Sequence, residues 1–288
     1  MRNIKPSSMT IQESLANYGK GLNRNNPCYD VYHSEIDCLL KCFVEYNAKT
    51  NPCKLECLES HYHDKNTRDA LYDMYSRQRK YIQDEWEKIA KKDGELLMCP
   101  ICGMKVVTDW DHYIPRSVMP EYSIHLQNLI PTCGDCNGKK KDKWLEDGKR
   151  KYFNAYYDVV PDLSDVLDVS ITITKDLPAV SISLKSITDK TPENVRIVNS
   201  TIRNLKLIDL YWRVKAKELV RSFVNRCISI VRVRRKYDKN ISATDVWKEE
   251  KEVLAGEIEY LKDSNSIDKL VYQSIIVSDE FERWFVAL

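Results

Sequence analysis

Two cysteine pairs constrain this chain more than any other feature. Cys99 and Cys102 form one C-x-x-C, Cys133 and Cys136 a second, and thirty residues separate the pairs. Four thiolates at such spacing form the tetrahedral donor set of a structural Zn2+ site, saturated and closed to substrate. The metal would hold together an insert too short to build an adequate core of its own. Four unrelated buried cysteines are the competing reading, and two C-x-x-C pairs with no cysteine between them speak against it.

Between the pairs the pattern reads as a strand, "MKVVTDW", then "DHYIPRS", a loop, and a second strand within "LQNLIPTC". A helix is expected from about 135, carrying "NGKKKDKWLEDGK". Two strands and a helix around one point make a scaffold for a small polar site, to which Asp111, His112, Asn128 and Asn137 are assigned. Hydrolysis of a phosphodiester needs a base that titrates near neutrality, which His112 supplies, and a cation to offset developing charge. The carboxylate of Asp111 and the amide carbonyl of Asn137 are hard oxygen donors suited to Mg2+ or Mn2+. Asn128 is expected to bond the backbone or the imidazole and fix the geometry.

The ordered string "CPIC…DHYIPRS…LQNLIPTCGDCNGKK" resembles the HNH family of ββα-metal endonucleases, in the subgroup with a four-cysteine zinc clasp. The resemblance covers residues 97 to 158, counting "KYFNAYYD", which is similar to a stretch often found after the motif. It implies that Asp111 is a metal ligand, that His112 is the general base and that Asn128 is the central orienting asparagine. Asn137 stands where the family often has histidine, and is the implied second ligand through its oxygen. Proteins of this build often serve as effector nucleases in bacterial anti-phage systems beside an ATPase partner, so a defence role and such a partner are further implications of the resemblance.

Net charge is only +2, so any contact with DNA or RNA must come from local patches rather than bulk charge. Lys139, Lys140, Lys141 and Lys143 cluster near the start of the expected helix and are assigned to phosphate contact, as is Arg116 after the Asp-His pair. The cluster Arg232, Arg234, Arg235 and Lys236 reads equally as a phosphate patch or a solvated helix end. The opening stretch is polar, with no apolar signal-peptide core, and no apolar run reaches membrane-span length. The expected location is cytoplasmic, with no membrane partner.

Elsewhere, helical periodicity is expected over about 34–47, 52–63 and 67–92. Asn51 and Pro52 are read as the start of the second of these helices, Asn66 as the cap of the third, and Gly94 as its stop. Leu71, Tyr75, Ile82, Trp86 and Ile89 are read as core contacts. The alternation through 168–186 predicts a β-hairpin, and Ile208, Trp212, Ala216, Leu219, Phe223, Cys227 and Ile230 form one stripe of a long helix. The remainder is expected to be helical, with breaks near 262–266. Cys38, Cys42, Cys53 and Cys57 are expected to face one another in a helical hairpin, as core thiols, a second zinc site or twin disulfides. The hairpin would serve equally as a docking surface for a partner chain. His125 is read as a surface residue, and Cys28 has no evident partner.

The fold expected is α+β: a mostly helical chain around a small ββα-metal core, organised as 1–93, 94–158 and 159–288. The function expected is divalent-metal-dependent endonuclease activity. The alternatives are a non-cleaving, zinc-clasped nucleic-acid-binding or adaptor module, and a toxin-like RNase.

Overall fold

The computed structural model of the protein describes residues 1–77, 79–92, 94–261 and 266–288. Helix α1 (Ile11–Lys20) starts at a capping box, in which Thr10 and Glu13 satisfy each other's exposed backbone N–H groups. Helix α2 (Tyr29–Ala48) buries Tyr32, Leu39, Cys42, Phe43 and Tyr46 along one stripe. Most of the stretch expected to be helical over 67–92 is helical, as α3 (Lys65–Arg77) and α4 (Arg79–Ala90). The carboxylate of Asp64, not Asn66, caps α3 by accepting from the Thr67 N–H at 2.8 Å. A short hairpin, β1 (Lys91–Lys92) with β2 (Glu95–Leu96), follows α4, and Gly94 takes a φ of +83° in its turn.

The helix expected over 52–63 does not form. Only a single 3-10 turn, Leu55–Cys57, is present, and the Asn51–Pro52 peptide is cis, within a turn closed by a Thr50–Cys53 bridge. Partners outside the stretch take two of its polar groups. The His61 N–H donates to the buried carboxylate of Glu121 at 3.0 Å, and Arg68 donates to the Tyr62 carbonyl at 2.8 Å. The four-thiol hairpin is therefore not built. All ten cysteines are free, Cys42 and Cys53 are buried, Cys57 is exposed, and among the described residues this group forms no metal cluster. Cys28 is also buried, and its thiol donates to the Ala70 carbonyl.

The cysteine-clasped segment supplies β3 (Asp109–His112), paired antiparallel with β4 (Leu129–Thr132), then α5 (Gly134–Lys140). Asp111 lies opposite Ile130 and His112 opposite Leu129. Trp86 of α4 meets Trp110 edge to face, with centroids 5.2 Å apart, so the helix backs the strand that carries the Asp-His pair. The two-residue strands β5 (Leu145–Glu146) and β6 (Lys149–Arg150) close a turn in front of the "KYFNAYYD" stretch. Arg150 makes two parallel 2.8 Å bonds to Asp158 and one of 3.0 Å to the Tyr113 hydroxyl. That fork ties the residue after His112 to the segment beneath it.

Chain contacts divide the protein into two compact units, Met1–Val160 and Pro161–Leu288. The N-terminal helices and the clasped segment share the first unit. The second begins with the short α6 (Leu163–Val166) and the expected hairpin, β7 (Leu167–Thr174) with β8 (Leu177–Leu184). Its turn residues Lys175 and Asp176 both have positive φ, the two-residue geometry that matches strand twist. Helix α7 (Glu193–Leu205) leads through a π-turn at Ile208–Trp212 into α8 (Arg213–Tyr237). Ala216, Phe223 and Cys227 face the core as the stripe requires, and burial pushes the Cys227 thiol up to about 12. Arg234 and Arg235 are engaged inside this unit, with Glu249 and with the Leu288 carbonyl.

Serines cap α9 (Ala243–Glu259), α10 (Ile267–Ile276) and α11 (Asp279–Val286), whose aromatic residues Trp247, Phe281 and Phe285 pack together. The break expected near 262–266 falls mostly outside the described residues. The class is α+β: mostly helical, with four two-stranded antiparallel sheets among the described residues. No described helix is long and apolar enough to cross a membrane.

Candidate active site

Cys99, Cys102, Cys133 and Cys136 converge with all four sulfurs within 4.8 Å of one another, and all four are buried. A Zn–S bond of about 2.3 Å gives a tetrahedral S···S edge of roughly 3.8 Å. The Cys102 and Cys133 sulfurs are 3.8 Å apart. Gly103 turns the first knuckle at a φ of +68°, where a side chain would be strained, and its N–H returns to the Cys99 carbonyl at 2.9 Å. The Met104 N–H points at the Cys102 sulfur. Donor type, spacing and enclosure all fit a closed tetrahedral zinc site.

Beside the clasp lies a cavity of about 390 Å³ lined by Asp111, His112 and Asn137, with Arg116 and Lys141 as cations. The β3–β4 pairing and the first turns of α5 bring these residues together. The His112 Nε2 lies 2.9 Å from the Ser123 carbonyl. A carbonyl only accepts, so Nε2 carries the proton and Nδ1 is left with a lone pair. Burial pushes the His112 pKa down to about 3, with Arg116 and Lys140 acting in the same sense and the Ser123 carbonyl opposing. The ring is therefore uncharged at neutral pH, and it is a weaker base than the near-neutral imidazole expected from the sequence. The Asn137 Nδ2 is directed at the Trp110 carbonyl, 3.5 Å away, which leaves its amide oxygen as a donor atom for a cation.

Asn128 does not touch the imidazole. It is wholly buried, and its amide makes four bonds: Oδ1 accepts from the Ile114 N–H at 2.8 Å and the Tyr46 hydroxyl at 3.2 Å, while Nδ2 donates to the Ile114 and Tyr122 carbonyls. It fixes the path of the chain leaving His112 rather than the ring itself. His125, read from sequence as surface, is 2% exposed; it stacks on Phe43 with centroids 4.1 Å apart and bonds Asn47. Burial lowers its pKa to about 3.

Lys140 departs most from its sequence assignment. It is 4% exposed, and its ammonium donates to Asp111 Oδ1 at 2.8 Å and to the His112 carbonyl at 2.7 Å. It faces inward, as the counter-charge of Asp111, and is not available to a phosphate. Lys139, Lys141 and Lys143 remain exposed. Arg116 lies over the Tyr72 ring at 4.0 Å, and its Nη1 bonds the Tyr72 carbonyl and the Ser76 hydroxyl, each at 3.2 Å.

The cavity also draws Tyr72, Tyr75, Asp109 and Asp142 into the site. Sequence reasoning placed Tyr75 in a core stripe and singled out none of the other three. No local signal marks Tyr72 and Tyr75, which lie on α3, more than thirty residues before the Asp-His pair.

Residues 99–143 match the HNH endonuclease family model. The HNH domain thus spans the first cysteine to Lys143 and takes in the clasp, β3, β4 and α5. Protein ea31 of Escherichia phage lambda is 24% identical over 223 residues, covering 75% of this chain and 73% of that protein. That likeness extends well beyond the HNH domain. No solved structure matches the chain.

Proposed function

We propose that the protein is a divalent-metal-dependent endonuclease that hydrolyses phosphodiester bonds of nucleic acid. The observation that carries this reading is the shared cavity of Asp111, His112 and Asn137, with the His112 proton held on Nε2 by the Ser123 carbonyl. Asp111 and Asn137 hold a Mg2+ or Mn2+ ion through oxygen. Once bound, the cation offsets the charge that builds on the phosphate and the leaving oxygen. His112 takes a proton from the attacking water at Nδ1. Asn128 keeps β3, the following loop and β4 in register, and is a positioning residue. Arg116 faces the scissile phosphate, while Lys139, Lys141 and Lys143 extend a basic edge for the flanking backbone. The four cysteines hold Zn2+ as a structural clasp with no place for substrate.

DNA and RNA are both open as substrates, since phosphate contacts do not distinguish them. A defence role with an ATPase partner rests on the family resemblance, and the phage relative adds nothing to it.

The test is cleavage of plasmid DNA and of total RNA by the full chain and by His112→Ala, with Mg2+ or Mn2+ and with EDTA. The expected result is metal-dependent cutting that the variant loses; the polymer cut assigns the substrate. Cutting that survives in His112→Ala would remove His112 as the base. Binding of nucleic acid without cutting of either polymer would favour the non-cleaving module.

A further inference from the structure

We propose that helix α3, which lies outside the HNH domain, is the frame that sets its reactive geometry, with Tyr75 as the positioning residue for His112. This rests on the nuclease reading above. Five α3 residues, Arg68, Leu71, Tyr72, Tyr75 and Ser76, recur at three- and four-residue spacing, so they share one face. Each of them touches the segment from His112 to Ser123. Arg68 donates to the Ser117 and Val118 carbonyls at 3.2 and 3.1 Å. The Leu71 carbonyl accepts from the Ser123 hydroxyl at 2.5 Å, and the carbonyl of the same serine holds His112. Tyr72 and Ser76 fasten Arg116. The Tyr75 ring meets the His112 ring at 4.5 Å between centroids and 74° between planes.

One hydrogen bond at Nε2 leaves an imidazole free to rock about that bond. The Tyr75 ring, set nearly perpendicular to the imidazole, blocks this motion. A displacement of about an ångström is enough to cost on the order of 100-fold in rate. The effect should appear in turnover rather than in substrate affinity, since Tyr75 acts through His112. Arg116, held by the same face, contacts the phosphate directly and should affect both.

The experiment compares the full chain with its Tyr75→Ala and Tyr75→Phe variants in steady-state cleavage of the polymer the wild type cuts. Long-range 15N–1H spectra of the His112 ring are recorded alongside. Tyr75→Ala is expected to lower kcat roughly 10- to 100-fold with KM within about 2-fold, and to broaden the His112 ring signals as the imidazole rocks about its retained bond to the Ser123 carbonyl. Tyr75→Phe keeps the ring and should restore both readouts. If thermal melting shows that Tyr75→Ala does not fold, Tyr75→Leu is measured in its place under the same criteria. Unchanged kcat and unchanged ring-signal widths in the Ala or Leu variant would overturn the proposal, as would a loss in Tyr75→Phe equal to that in Tyr75→Ala. If the wild type cuts neither polymer, the nuclease reading falls and the ring spectra alone decide whether Tyr75 fixes His112.

Discussion

Replacing Lys140 by methionine tests the electrostatics at the centre of the site. The Lys140 ammonium is 4% exposed and bonded to Asp111 Oδ1 at 2.8 Å and to the His112 carbonyl at 2.7 Å, and Asp111 is itself only 8% exposed. Methionine keeps most of the side-chain length and removes the charge, leaving a buried carboxylate and a carbonyl without their donor. Breaking one side of a buried pair costs about 3–5 kcal/mol, against about 0–1 kcal/mol for a surface pair. For a unit of 160 residues, each kcal/mol is worth about 2–4 °C in Tm, so the loss is on the order of 6–20 °C. Urea unfolding followed by tryptophan fluorescence reads the first unit through Trp86, Trp110 and Trp144, once the signal of the second unit's Trp212, Trp247 and Trp284 is removed by Trp→Phe substitution. A divalent cation adds a second arm. If Asp111 is a ligand, Mn2+ at about 100 times its Kd should return roughly 2.7 kcal/mol to Lys140→Met. A loss below about 1 kcal/mol would refute the buried pair. A full loss with no response to Mn2+ would refute Asp111 as a cation ligand.

Three further outcomes follow from the same geometry. Asn128→Ala removes four buried hydrogen bonds and leaves both polar groups of Ile114 unmatched, so a loss of about 2–4 kcal/mol is expected in urea unfolding; near-wild-type stability would show that water substitutes. His125 and His112 both have folded pKa values of about 3, below the unfolded value of 6.5, so the unfolded chain binds more protons between those limits. Their stabilisation is complete above about pH 6.5 and is lost as the pH falls towards 3, at about 1.4 kcal/mol per pH unit for each ring. His125→Gln, which can still donate to Asn47, should roughly halve that slope in denaturant midpoints measured across the window; an unchanged slope would mean that His125 is not buried uncharged. Elemental analysis of the purified chain should find one zinc per molecule, and Cys102→Ser or prolonged chelation should remove it together with near-ultraviolet circular dichroism from the first unit; a chelated protein with unaltered tertiary signals would show that the four thiols are not a structural clasp.

Much of this molecule is legible in its sequence because the signals are local. The C-x-x-C pairs, the alternation through 168–186 and the apolar stripe through Cys227 each lie within a short window, and each forms the element it announces. The polar residues Asp111, His112 and Asn137 also reach one cavity, because a two-strand, one-helix unit leaves few other places for them. Distance along the chain is what hid the rest. Residues 52–63 carry helix-starting residues, but the His61 N–H and the Tyr62 C=O bond to Glu121 and Arg68 rather than along a helix. His125 and Lys140 carry no mark of burial, since a histidine or lysine goes inside only when the fold supplies a particular acceptor; here Asn47 and Asp111 do so from 78 and 29 residues away. Tyr75 has the spacing of a core residue, and only the folded chain shows that the surface it packs against is the ring of His112. The sequence by itself determined the four-thiol cluster and the kinds of groups that chemistry could use. Tertiary structure alone decided which charges face inward and which helix packs against His112, because those depend on the pairing of groups far apart in the chain.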